Sequence, residues 1–200
     1  MRASKTETEA RQEQIVEAAL ELIGSEGVYA LSIAGIAERV GIVPSALYRH
    51  FKSKDDVLDA VLEMLRTRLM HNIAAVRKET PGTLARLEAL LLRHAGMLNE
   101  HRAIPHVVFS DGIYTGHPGR KAKVAAIITN YLHHIQEIIE EGKQEGSIRA
   151  DVAPATASIL FLGVILPAAI LWNVSGGAFD VISHVENAWP AFRRCIAAEV

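Results

Sequence analysis

The sequence predicts an all-α fold, and three observations carry that reading. Apolar residues recur at three-and-four spacing through every long segment, the signature of one buried helix face. Half of the 200 residues are hydrophobic but only 6% are aromatic, and apolar runs alternate with charged ones. No stretch shows the strict alternation of a half-buried strand. About nine helices are expected.

In chain order, a short polar arm with Arg2 and Lys5 comes first. It reads either as a tail or as an arm touching a minor groove or a phosphate. Residues 8–25 form the first helix, with Ile15, Ala19 and Leu22 inward. Residues 32–51 read as two short helices joined by a tight turn. Ile33, Ile36, Ala37 and Val40 line one face of the first, and Gly41 stops it, because glycine takes the left-handed backbone freely. Pro44 suits a first turn, where its missing N–H costs nothing. Leu47 and Phe51 then face inward, and Pro44, Ser45, Ala46, Tyr48, Arg49 and His50 face out.

The next helix starts at Ser53, a cap, with Asp56 placed to reach back as in a capping box. Val57, Leu58, Val61, Leu62, Leu65 and Leu69 follow on one side, to about residue 77. Pro81-Gly82 breaks the chain. Helices are expected over 83–101, 120–144, 154–173 and 179–198, with a short element at 104–110, a glycine-rich loop at 111–119 and a turn at Gly146-Ser147. The 154–173 segment is apolar nearly all round and should be buried on more than one side. Pro190 promises a kink in the last helix.

The outward set at 44–50 carries chemistry. Small residues at the start of a helix allow close approach to base edges, an arginine can grip guanine with two hydrogen bonds, and tyrosine and histidine can reach phosphates. The same residues also fit an ordinary helical hairpin with a polar outer face. The flanks add Ala18-Ala19 and Leu22 before Gly27, Leu31-Ser32, Ile36-Ala37, Val40-Gly41-Ile42, Leu47-Tyr48-Arg49-His50-Phe51, and Lys54 with Leu58. In that order these pieces resemble the N-terminal domain of TetR-family transcriptional regulators, over residues 8–69.

The resemblance implies a three-helix DNA-binding domain with its helix-turn-helix at 32–51. A fourth helix would join it to a helical ligand-binding and dimerisation domain at 70–200. Ser32, Tyr48, His50 and Lys54 would hold phosphates, and Pro44, Ser45, Ala46 and Arg49 would face bases. Two positions depart from the family pattern. Val43 stands where Ser or Thr often caps the recognition helix, and Ser45 where glycine is frequent, so base preference cannot be copied from a relative.

Composition limits the alternatives. The net charge is −2, and in the first 54 residues seven cations are matched by seven glutamates. DNA binding must therefore rest on placement, with Arg39, Arg49, Lys52 and Lys54 clustered around the motif. One cysteine, Cys195, excludes an internal disulfide and fits a reducing cytoplasm, the expected location. The opening MRASKTETEA has no apolar core, so no secretory signal is expected there. The apolar run 159–172 falls short of the ~20 residues that span a bilayer, and no membrane partner is expected.

No catalytic role is expected. Ser110, Asp111 and His117 are close in sequence but lack a glycine-framed nucleophile elbow. No cofactor and no metal is expected either: His133 and His134 are adjacent, so they point about 100° apart on a helix and cannot chelate together.

An effector pocket between the helices of the second domain follows from the resemblance. Leu65, Leu69, Leu91, His94, Phe109, Ile128, Tyr131 and Phe161 are its candidate lining, and each could equally be plain core. Few charges fall on these faces, so an apolar or amphipathic small molecule is expected. The excess of apolar residues in 154–173 and 179–198, among them Ile159, Leu162, Ile165, Ile170, Val185, Trp189 and Phe192, predicts a homodimer through these helices. The reading is a repressor released from a palindromic operator on double-stranded DNA by that effector. The competing one is a helical small-molecule carrier or interaction protein whose helix-turn-helix is vestigial.

Overall fold

The computed structural model describes residues 7–101, 103–114 and 117–198, without the side chains of Val108 and Phe109. The arm residues Arg2 and Lys5 therefore lie outside the described residues, as does Gly116 of the expected loop.

Ten α-helices are present among the described residues. They are α1 (Glu7–Glu26), α2 (Ile33–Val40), α3 (Pro44–Leu47), α4 (Lys54–Glu79), α5 (Thr83–Glu100), α6 (Ala103–Phe109), α7 (Asp111–Tyr114), α8 (Pro118–Gln144), α9 (Pro154–Val174) and α10 (Val181–Ile196). A single 3-10 turn, Val28–Ala30, links α1 to α2. The extra helix is α7, where a loop was expected; Ser110 accepts the Gly112 N–H (3.2 Å) and starts it. Among the described residues one isolated antiparallel bridge, between Ile148 and Ala197, ties the turn after α8 to the end of α10.

The chain folds as two compact units. One holds the residues up to Arg66 together with His101–Val124, the other Thr67–Glu100 with Ala125–Val200. The first unit is thus drawn from two separate stretches of the chain, and so is the second. Both α4 and α8 begin in the first unit and end in the second.

In the first unit α1 packs on α2 and on α6. The predicted stripe Ile15, Ala19 and Leu22 is buried, and α6 also covers a second face, so Val16, Leu20 and Ile23 are buried as well. A Cβ on Gly35 would sit 3.1 Å from Ser32 Oγ and 3.2 Å from Leu22 Cδ2, so α2 lies tight against α1 there.

The second unit packs α5, α9 and α10 on one another. Phe161 and Phe192 meet edge to face at 5.9 Å, a favoured aromatic geometry. Here the expectations for 154–173 and 179–198 divide. Leu162, Ile165, Val185, Trp189 and Phe192 are internal core, whereas Ile159 and Ile170 are exposed, with Leu160, Leu171 and Val174 beside them. So α9 is buried on one face, not all round: α5 and α10 need only that face. At 21 residues it is long and apolar enough to cross a bilayer by length and composition, contrary to the shorter run read from sequence. Its inner face packs on α5 and α10.

Gly142 of α8 lies in close contact with its neighbours. A Cβ there would lie 2.7 Å from both Ile148 Cδ1 and Thr83 Cγ2. Nearby, Arg77 bonds Glu141 (2.6 Å) and Glu137 (3.2 Å), and Arg86 bonds Glu141 (3.2 Å), which holds α4, α5 and α8 in register.

Candidate functional site

The helix-turn-helix forms for local reasons. Ser32 accepts the Gly35 N–H at 3.1 Å and caps α2, leaving its own hydroxyl hydrogen free to donate. Gly41 takes φ 74° and ends α2; its N–H bonds Glu38 O, and Ile42 N–H bonds Ala37 O at 2.9 Å, a Schellman stop. Val43 stands at the start of α3 with no side-chain cap, as its identity requires, and Pro44 opens the helix.

The α3 helix is shorter than its pattern predicts. After one turn it tightens: Arg49 N–H bonds Ala46 O and His50 N–H bonds Leu47 O, both three residues back. Leu47 is fully buried and anchors it. Pro44, Ser45, Tyr48 and Arg49 are exposed, and Ala46 is half-buried.

His50 departs from the outward set. It is half-buried, and its Nδ1 is enclosed with no hydrogen-bond partner. It lines a groove of about 490 Å³ with Glu7, Thr8, Ala10, Arg11 and Gln14 of α1.

The cations around the motif also sort differently from their sequence cluster. Arg39 donates to Ser25 Oγ (2.8 Å) and to Glu26 Oε1 (3.1 Å), pinning α2 to the end of α1. Arg49, Lys52 and Lys54 carry no ion pair among the described residues. Ser53 caps α4 by accepting the Asp56 N–H (3.1 Å). The Asp56 carboxylate reaches one residue further back than a capping box requires, to the Lys52 N–H (3.0 Å). Both lysines are thereby fixed to the first turn of α4.

Sequence reasoning missed the group beneath that turn. Arg120 of α8 is buried, and its guanidinium donates to Asp55 Oδ1 (3.0 Å) and Asp59 Oδ1 (3.2 Å), one turn apart on α4. Lys123 adds a bond to Asp59 at 2.9 Å. Burial raises the Asp59 pKa, but the hydrogen bonds from Lys123 and Arg120 outweigh it and the net shift is downward. The signal was there: Arg120 occupies the same stripe as Val124 and Ile127, one turn upstream.

The eight pocket candidates fall in both units. Leu65 is buried in the first unit, and Phe109 belongs to that unit with a side chain outside the described residues. Ile128 points outward at 38% exposure, and Leu69 is half-buried. Leu91, His94, Tyr131 and Phe161 are buried in the second unit. Two of them form a polar pair, His94 Nδ1 to Tyr131 Oη at 3.1 Å, with burial pushing the histidine down to about 4 and the phenol up. Of the other histidines, His133 and His134 both reach Glu137, at 3.4 and 2.9 Å.

Known proteins match the chain along most of its length. Residues 15–61 match the family described as bacterial regulatory proteins, tetR family, and residues 62–192 the C-terminal region of YsiA-like proteins. A fatty acid metabolism regulator protein of Bacillus subtilis is 22% identical over 171 residues, 85% of this chain and 87% of that one. Among solved structures, the fatty acid degradation regulator FadR from Bacillus halodurans superposes with a TM-score of 0.80 at 20% identity, covering 94% of this chain and 96% of its own. FadR from Bacillus subtilis in complex with stearoyl-CoA gives 0.77 at 20% identity, covering 90% and 96%.

Proposed function

The chain belongs to the TetR family of bacterial regulatory proteins, a non-enzymatic family of ligand-responsive transcriptional regulators, and from that premise we propose a repressor that an acyl-CoA-type ligand releases from a palindromic operator. One observation carries the DNA side: the exposed face of α3 is flanked by Arg49, Lys52 and Lys54, three cations with no ion pair among the described residues. Tyr48, Lys54 and the Ser32 hydroxyl hold phosphates; Pro44, Ser45, Ala46 and Arg49 face bases. His50 contributes from the groove side.

The ligand reading draws on the fatty-acid regulators among the relatives and on the second unit's apolar interior. Leu91 and Phe161 offer apolar surface for a chain, and the neutral His94–Tyr131 pair offers hydrogen bonds to a carbonyl. A second copy of the chain covers the exposed face of α9 at Ile159, Leu160, Ile170, Leu171 and Val174, giving a symmetric dimer whose two recognition helices meet a palindrome. The dimer works in the cytoplasm, where the operator is.

Release requires the ligand to favour a conformer whose recognition helices are wrongly spaced, since equal affinity for both conformers shifts nothing. A coupling of ~1–3 kcal/mol, about 5- to 150-fold in operator affinity, is ordinary for such a switch. The test is to titrate stearoyl-CoA with and without saturating operator, the operator being a duplex selected from random DNA by the protein. The two dissociation constants should differ by the factor by which stearoyl-CoA weakens operator binding. Equal constants would reject the ligand, and failure to select any duplex would revive the carrier reading.

A further inference from the structure

Among the described residues, Arg120 is the only arginine, lysine, aspartate or glutamate that is buried. A guanidinium taken out of water is tolerable only with well-placed partners, and an apolar replacement of such a cluster is often at least as stable. Stability alone is therefore a poor reason for Arg120 to be where it is. Its partners are specific. The fork spans Asp55 and Asp59, stacked one turn apart on α4, and Nη2 also faces the Asp55 backbone carbonyl at 3.5 Å. His117 approaches Asp55 at 3.5 Å from the same end of α8.

The positions at the two ends of this contact matter. Asp55 lies next to Lys54, and Asp56 holds the Lys52 N–H, so the clamped turn carries both lysines with it. On α8, Tyr131 lies eleven residues beyond Arg120. At 100° and 1.5 Å per residue, that is about three turns and roughly 16 Å along the axis, returning to within about 20° of the same face. Arg120, Val124, Tyr131, Ile135 and Ile138 are all buried along that stripe. One uninterrupted helix therefore bears the His94–Tyr131 pair near its middle and the clamp on α4 in its first turn.

We propose that Arg120 is the joint through which α8 carries the state of the effector site to the first turn of α4, and so to the DNA contacts at Lys52 and Lys54. The proposal rests on the reading of the protein as an effector-released repressor. A helix that shifts along or about its axis moves every group on its stripe together. The planar fork of Arg120 is directional, so Asp55 and Asp59 either follow it or lose their bonds. A lysine in its place would keep the charge and lose that constraint.

The test uses the full-length protein, the selected operator duplex and stearoyl-CoA. Amide hydrogen exchange is followed at residues 127–131 of α8, with and without operator. In the wild type, operator binding should change exchange there several-fold. Arg120→Gln should still bind operator, but the change at 127–131 should vanish and the stearoyl-CoA effect on operator affinity should fall toward one-fold. Arg120→Lys, which keeps a charge between the two carboxylates, should fold in any case and retain only part of the response.

An unaltered operator-induced change in both variants would overturn the joint, as would a wild type whose α8 exchange ignores operator. A wild type that shows the change but does not respond to stearoyl-CoA would reject the acyl-CoA reading and leave the joint standing. Failure to select a duplex would remove the repressor reading and the joint together.

Discussion

The Nδ1 of His94 and the phenolic oxygen of Tyr131 lie 3.1 Å apart in the interior of the second unit, their rings edge to face at 5.3 Å. Burial alone holds the imidazole neutral, down to about 4, so one of the two groups donates and the other accepts. A histidine whose folded pKa is depressed contributes stability that is complete above its unfolded value of about 6.5 and is lost as pH falls toward the folded value. Between pH 7 and 4.5 the wild type should lose about 2–3 kcal/mol more than His94→Gln. Urea unfolding of both proteins at the two pH values checks this, and parallel losses would contradict it. Tyr131→Phe, which strands the imidazole nitrogen, should cost about 1–3 kcal/mol at pH 7.

Lys54 and Arg49 should fail differently when removed. Lys54→Ala should weaken binding to every sequence alike and lower the salt slope by about one unit. Arg49→Ala should cost about 1–3 kcal/mol per half-site and blur the preference at one base pair. Fluorescence anisotropy over a set of operator variants separates the two, and an even loss for both would remove Arg49 from base reading.

Arg39 sits in the same sequence cluster and should behave like neither. Its guanidinium is held by Ser25 and Glu26. Arg39→Ala should leave the salt slope unchanged and cost no more than about 1 kcal/mol of stability, as partly exposed pairs do. A slope reduced as far as in Lys54→Ala would show that Arg39 leaves its pair for a phosphate.

Gly142→Ala should destabilise the second unit. The added methyl would meet Ile148 and Thr83 at 2.7 Å, and both belong to packed segments. Overpacking of this type costs about 1–3 kcal/mol. Thermal melting reports it, and Gly163→Ala, which meets nothing within 4 Å, is the matched control.

Charge placed on the open face of α9 should split the proposed dimer. Ile170→Glu and Leu160→Glu alter exposed positions, so each chain should keep its helical content. Light scattering should then report 21.8 kDa at micromolar concentration, where the wild type should report twice that. A wild type already at the monomer mass would dispose of the interface.

What the sequence determined by itself is what short stretches of backbone decide. Gly41 stops α2 and Ser53 caps α4, while Pro44 opens α3. The break at Pro81-Gly82 comes where it was read. Each depends on steric preferences and hydrogen bonds within four residues, which is why the helix-turn-helix and its buried Leu47 were legible. The family pattern is legible for the same reason, being a string of such local signals.

Tertiary structure decided whatever depends on a neighbour distant in sequence. Periodicity names the apolar faces of α9 but cannot say that α5 and α10 cover only one, leaving Ile159 and Ile170 outside while Trp189 and Phe192 go in. A count of cations cannot show that Arg39 is engaged, nor could spacing foretell that the ring of His50 turns toward α1. Arg120 is the clearest case. In the sequence it is one charge at the start of a stripe, and its role appears only when residues more than sixty positions away set two carboxylates within 3.2 Å of it. Burial and ion pairing are properties of pairs of segments, and a single segment carries only one half of each.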